Sequence, residues 1–141
     1  MVLNNTWYWF FVRTWCVAYF IVDKVDLLKK SLIKLLDLKW AEKIKEDGFC
    51  KYCGKTSHLN AHHVFSRSSR STRWDLENGI CQCSGCHTLS SKFSAHLTGT
   101  EFTLWIIDLR GWEWYADLRE RWNKSVKFFD ADYPEIRATL V

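Results

Sequence analysis

Proline is almost missing from this chain: one residue, Pro134, in 141. No Pro-rich linker can therefore separate domains. No internal repeat and no low-complexity tract occurs either, which excludes solenoid, propeller and tail-like architectures. Charge of one sign is scarce as well, with 20 Lys and Arg against 16 Asp and Glu and a net +4. An apolar fraction of 48% and a charged fraction of 26% are ordinary for a globular protein, and the length suits one domain with a real core plus an N-terminal addition.

A long hydrophobic run is also lacking. The longest, Trp7 to Val22, has sixteen residues with Arg13 in its middle, too short and too costly for a membrane span. No basic region precedes it and no small-residue cleavage site follows, so it fits a signal peptide poorly. Three readings stay open: a helix packed on the domain, an interfacial anchor, or an upstream extension that the functional protein lacks, the last being preferred. Had it entered a membrane, Lys24, Lys29 and Lys30 would hold the remainder on the cytoplasmic side.

What is present is concentrated. Between Lys51 and Lys92, six basic residues (Lys51, Lys55, Arg67, Arg70, Arg73, Lys92) face two acids (Asp75, Glu77), so this window carries the whole excess charge. Such a segment suits a phosphate-bearing partner, or is simply a solvated loop. Of the six cysteines, five (Cys50, Cys53, Cys81, Cys83, Cys86) share a short stretch with four of the five histidines. Cys-x-x-Cys pairs interleaved with histidine point to metal rather than disulfides, and so to a reducing, cytoplasmic compartment.

Helical spacing of Val25, Leu28, Leu32, Leu35, Leu36 and Ile44 predicts an amphipathic helix over 23–47, capped by Asp23 or Asp26 and stopped at Gly48. Leu59 to Phe65 reads as a strand, 66–72 as a polar loop, and Gly79 to Gln82 as a second strand. Ser84 is placed to cap a helix from Cys86 to Leu97 that stops near Gly99. Thr98 and Glu101 resemble a capping box before the stripe of Phe102, Trp105, Ile106 and Leu109, and a helix is expected over 112–124. Pro134 could open a last short helix.

Cys50 and Cys53, with Cys83 and Cys86, supply four thiolates, a closed tetrahedral shell for a structural zinc ion; Gly54 and Gly85 permit tight turns around it. Cys81 rivals Cys83, but its spacing to Cys86 is too wide for a knuckle; it and Cys16 read as small buried apolar residues. Between the pairs stand His62 and His63 on the first strand and Asn78 at the start of the second; His87 follows Cys86 on the helix. Neighbours on a strand point to opposite faces and neighbours on a helix diverge by about 100°, so a second site distinct from the zinc is implied, reachable by His62 and His87.

Ala61-His62-His63-Val64, Asn78-Gly79-Ile80-Cys81-Gln82-Cys83 and Cys86-His87 together resemble the His-Asn-His motif of HNH endonucleases in its zinc-bearing form, over about 49–97. The resemblance implies the ββα-metal fold and phosphodiester hydrolysis leaving 5′-phosphate and 3′-hydroxyl ends. It makes His62 the first metal ligand, His63 the general base, Asn78 the residue that fixes the base, and His87 the metal ligand on the helix. The physics agrees. Imidazole titrates near neutrality, and a divalent ion neutralises charge on the phosphate. Magnesium, manganese, nickel or zinc could each serve, imidazole favouring the later transition metals. Some relatives carry a further ligand one turn after the helix histidine. Here that place is Ser91, so two protein ligands are expected. His96, nine residues on, is half a turn out of phase on an ideal helix and reads, like His58, as a packing or surface residue.

Arg67, Arg70 and Arg73, interleaved with Ser66, Ser68, Ser69 and Ser71, form an expected backbone-phosphate contact. Trp105, Trp112, Trp114 and Trp122 are a base-stacking platform or, more in keeping with their spacing, core. The reading is an α+β chain: an apolar extension over 1–22, an amphipathic helix over 23–48, a zinc-stapled ββα-metal core over 49–99, and a helical segment over 100–141. Its expected function is divalent-metal endonuclease action on DNA, with double-stranded DNA as partner and a phage or prokaryotic setting. The rival is a non-catalytic zinc module that binds nucleic acid.

Overall fold

The computed structural model describes residues 6–124, with side chains described for residue 24 and from residue 26 onward. The last expected helix, at Pro134, lies outside the described residues, as does the side chain of Cys16. The chain divides after Leu35 into two units, and the long first helix supplies residues to both. That helix, α1, runs Thr6–Ile44. The expected start at Asp23 is therefore not where it begins, and neither Asp23 nor Asp26 caps it. Positions 6–22 hold no glycine or proline, so nothing in the backbone breaks the helix where the composition changes. No described helix is long and apolar enough to cross a membrane.

The end of α1 is as the sequence suggests. Lys45, Glu46 and Gly48 donate to the carbonyls of Glu42, Lys43 and Lys45, and Gly48 takes a left-handed φ of 72°, the conformation glycine adopts without Cβ strain. The buried face of this last stretch is Leu36 and Trp40, whereas Leu28 is 69% exposed and Leu35 is 36% exposed.

Two strands follow, β1 (Leu59–His63) and β2 (Gly79–Cys83), paired antiparallel with Leu59 opposite Cys83 and His63 opposite Gly79. All of β2 is buried, and α1 explains one side of that burial. A Cβ placed on Gly79 would collide with the side chain of Ile44 and approach Trp40 to 2.9 Å. Glycine at the first position of β2 is what lets the helix close on the sheet.

The expected helix over 86–97 does not form. A single helical turn, Gly85–Leu89, closes with Ser90 N donating to Gly85 O at 3.0 Å, an i to i+5 bond. The chain then doubles back. Ser90 Oγ accepts from the amides of Lys92 and Phe93, and Ser94 Oγ from that of Leu97. Ser90, Ser91 and Ser94 crowd this stretch, and serine hydroxyls offer the backbone partners that compete with a helical ladder. Ser84 is not a cap; its hydroxyl donates to His58 O and accepts from Asn60 Nδ2. Thr98 does not build a capping box either, because its hydroxyl bonds back to Ser94 N and O.

Two helices complete the described chain, α2 (Gly99–Arg110) and α3 (Trp112–Asn123), broken at Gly111 with φ 93°. Phe102 and Ile106 of α2 join Cys50, Ile80, Cys83, Cys86 and Phe93 in one core. The fold is thus α+β: a small two-stranded sheet beside a cysteine cluster, flanked by helices, consistent with a ββα-metal unit.

Candidate metal centres and base

Two clusters of potential ligands stand close to the sheet. The first is Cys50, Cys53, Cys83 and Cys86, whose sulfurs all lie within 4.8 Å of one another. Cys50 and Cys53 are presented by a turn in which Cys50 N donates to Lys55 O and Gly54 N to Cys50 O, with Gly54 at φ 76°. Cys83 ends β2, and Cys86 sits in the helical turn after it. The Sγ atoms of Cys53 and Cys83 are 3.6 Å apart. Two sulfurs about 2.3 Å from one tetrahedral zinc ion would be roughly 3.8 Å apart, so the cluster fits zinc. Burial raises the Cys50 thiol pKa, but amides of Cys53, Cys83 and Tyr52 donating to its sulfur outweigh that and bring it to about 7. Cys86 is pushed up by burial and by hydrogen bonds with Cys53 and Cys83. Cys81 is buried and outside the cluster.

The second cluster is His62, His87 and His96. His62 lies on β1 and His87 in the helical turn, as the motif required. His96 is the member that sequence reasoning missed. The doubled-back chain, pinned by Ala95 N to Cys86 O and His96 N to His87 O, lays His96 beside His87 with their Nε2 atoms 3.2 Å apart. Two nitrogens about 2.1 Å from a shared ion would be roughly 3.0 to 3.4 Å apart. The ideal-helix argument against His96 failed because the helix it assumed is absent. Serine density after His87 was the signal that could have corrected it. Phe102 packs on His62 at right angles, with ring centroids 5.1 Å apart. Burial, then the charges of His87, His96 and His63, drive the His62 pKa down to about 3; burial and His96 lower that of His87. His62 is therefore neutral at physiological pH, and His87 is biased toward the same neutral form, the one that ligates metal.

His63 is held differently. Its Nε2 is 2.8 Å from Arg73 O, and its ring stacks on the indole of Trp40 with centroids 3.7 Å apart and planes 10° apart. A carbonyl only accepts, so Nε2 must carry the proton and Nδ1 the lone pair. Burial lowers the pKa of His63, partly countered by the Arg73 carbonyl and the Asp37 carboxylate. Asn78, fully buried, does not touch the ring. Its Nδ2 donates to Phe65 O and Thr72 O, both at 3.0 Å, and its Oδ1 accepts from Phe65 N at 2.7 Å. It ties together the two ends of the loop whose next residue, Arg73, meets His63 Nε2 through its carbonyl. His62, His63, His87 and His96 line one cleft of about 490 Å³ with Ala61, Ser66 and Arg67.

The arginines divide. Arg67 lines that cleft and Arg70 is exposed. Arg73 is turned the other way. Its guanidinium makes bonds of 2.9 and 2.7 Å to the two oxygens of Asp37, which also accepts from Trp74 Nε1 at 2.9 Å. Arg73 thus ties the loop to α1 through Asp37. Ser69 and Ser71 donate to Trp122 O, and Trp122 Nε1 donates to Ser66 O. These groups dock the loop on α3. Trp105 packs with Tyr52, Phe93 and Phe102, and Trp114 lies under Arg110. Among the four tryptophans named for stacking, only Trp112 is mostly exposed, at 57%. His58 is exposed and apart from both clusters.

Compared with known families, residues 50–93 match the model described as HNH endonuclease. That match and the cysteine cluster bear out the zinc-bearing HNH resemblance for the central third of the chain. No curated protein and no solved structure matches the chain.

Proposed function

We propose that the protein is a metal-dependent endonuclease that hydrolyses phosphodiester bonds of DNA. The observation that carries the proposal is the arrangement in one cleft of three clustered imidazoles and a fourth, His63, whose tautomer is fixed by a carbonyl. A plain structural zinc module has use for the four thiolates but none for this second group.

His62, His87 and His96 would hold the catalytic divalent ion, and Cys50, Cys53, Cys83 and Cys86 a structural zinc. When bound, the catalytic ion supplies charge neutralisation at the scissile phosphate and its leaving oxygen. Three nitrogen donors, against the two expected, favour manganese, nickel or zinc over magnesium in affinity. His63 Nδ1 takes the proton from the attacking water, and Asn78 keeps the loop carbonyl behind Nε2 in place. Arg67 places a backbone phosphate over the cleft, and exposed Arg70 extends the contact. Neither reads bases, so sequence selectivity is low. The thiolates suit a reducing, cytoplasmic setting.

The test is plasmid cleavage by the purified protein with manganese, nickel or magnesium, beside His63→Ala. General-base catalysis is worth about a hundred- to ten-thousand-fold, and cleavage by the variant is expected to fall by that order with DNA affinity unchanged. Cleavage by His63→Ala at the wild-type rate would place the base elsewhere. Absence of cleavage by wild type with every metal would favour the non-catalytic binding module.

A further inference from the structure

The family match begins at residue 50, yet the base is gripped from α1, outside it. Asp37, Trp40 and Ile44 recur at helical spacing on that element and make three separate contacts. Ile44 fills the space above Gly79. Trp40, 2% exposed, covers one face of the His63 ring and anchors its own indole by donating from Nε1 to Asp75 O at 2.9 Å. Asp37 takes both ends of the Arg73 fork, and the Arg73 carbonyl receives His63 Nε2. The carbonyl alone would leave the imidazole free to rock about that hydrogen bond. The indole removes this freedom, because a ring stacked nearly parallel at 3.7 Å cannot tilt without losing the contact.

We propose that Trp40 is a positioning residue for the general base: its indole face fixes the plane of the His63 ring so that Nδ1 is presented to the cleft, while Asp37 fixes the carbonyl that sets the tautomer. The proposal deepens the nuclease reading and rests on it for the meaning of the base, but the ring's placement is measurable without catalysis. A misplacement of about an ångström in a reacting group costs on the order of a hundred-fold in rate. Trp40 acts on placement and not on substrate binding, so its loss falls on kcat and not on KM.

The experiment compares full-length Trp40→Met, which keeps bulk without a ring face, with Trp40→Phe, which keeps a ring, and with Ile44→Ala, which loosens the same helix face without touching His63. Two readouts are taken: kcat and KM for plasmid cleavage, and the tautomer of His63 by nitrogen NMR of the imidazole. Wild type is expected to show one tautomer, protonated at Nε2. Trp40→Met is expected to show a mixed population and a kcat lowered roughly ten- to a hundred-fold at unchanged KM. Trp40→Phe recovers most of both, and Ile44→Ala keeps the wild-type tautomer despite a lower melting temperature. In a His63→Ala background, Trp40→Met should cause no further loss, since the two act as a unit. If Trp40→Met does not fold, Asp37→Asn tests the same grip through the carbonyl and should mix the tautomers. A single unchanged tautomer in a folded Trp40→Met protein overturns the proposal, as does an equal kcat loss in Ile44→Ala. A mixed tautomer together with an inactive wild type upholds the positioning and sinks the nuclease reading alone.

Discussion

The Cys50 thiol pKa is lowered because backbone amides donate to its sulfur, those of Tyr52 and Cys53 from its own turn and that of Cys83 from the end of β2, and the Sγ atoms of Cys53 and Cys83 meet at the same place. Binding of a structural metal and folding of such a centre are coupled. Cys50→Ser is therefore expected to lose the zinc and, with it, cooperative melting of the central unit. Metal analysis of purified protein beside a thermal scan checks this, and a variant with full zinc content and unchanged melting temperature would refute it. The arginines separate in the same residue-by-residue way. Arg67→Ala should weaken DNA binding and make its salt dependence shallower by about one counterion unit. Arg73→Ala should instead lower stability, because it leaves the half-buried Asp37 carboxylate without its fork. Salt-titrated binding together with urea melts separates the two; equal salt slopes would count against the assignment. That His62 and His87 share a cluster apart from the cysteines was legible from their places on strand and helix, whereas the roles given to His63 and Asn78 came from the resemblance to HNH endonucleases. The commitment of Arg73 was not, since its partner lies thirty-six residues upstream and a charge does not announce which opposite charge it will meet.

At the scale of elements, the contact between α1 and the sheet decides what the base can do. Gly79→Ala would force a methyl group into Ile44 and Trp40. Overpacking of this kind typically costs about 1–3 kcal/mol, and a chemical melt should show that loss together with slower cleavage. Asp37 gives the contact a pH dependence. Burial acts to raise its pKa, but hydrogen bonds from Arg73 and Trp74 and the Arg73 charge prevail and hold it below the ordinary carboxylate range. A carboxylate with a depressed folded pKa contributes stability that is present above its unfolded pKa and is lost as pH falls through the folded one. Asp37→Asn should therefore be less stable than wild type at pH 7, with the gap closing below about pH 4. A gap of constant size down to pH 2 would show that the ion pair is not its source. The strands and the two last helices were readable from periodicity. The helical turn after β2 was not, because Leu89 and Phe93 sit at helical spacing while the serines between them draw the backbone into local bonds.

For the molecule as a whole, the segment that resembles a nuclease makes contacts with residues on both sides of it in the sequence. Residues 50–93 contain His62, His63, Asn78, His87 and all four clustered cysteines. They omit His96, the third imidazole; Asp37 and Trp40, which hold the base; Phe102 and Ile106, which close the core; and Arg121, which pairs with Asp75 and Glu77 at the foot of β2. A fragment cut at the motif boundaries loses His96 from the cleft, and with Asp37 and Trp40 the contacts to Arg73 and the His63 ring. No residue of the apolar stretch before Asp23 belongs to the motifs that resemble a nuclease. Deleting residues 1–22 is therefore expected to leave zinc content and cleavage unchanged and, by removing apolar side chains, to improve solubility. Starting the chain at residue 49 should keep the cysteines yet remove the stack on His63, lowering cleavage by at least the factor seen for Trp40→Met. Both truncations are assayed by zinc analysis, plasmid cleavage and the His63 tautomer. A start at residue 49 that retains full activity would show that α1 is dispensable. Loss of cleavage in a folded protein lacking 1–22 would place those residues within the working unit, and the boundary at Asp23 would then have no functional meaning.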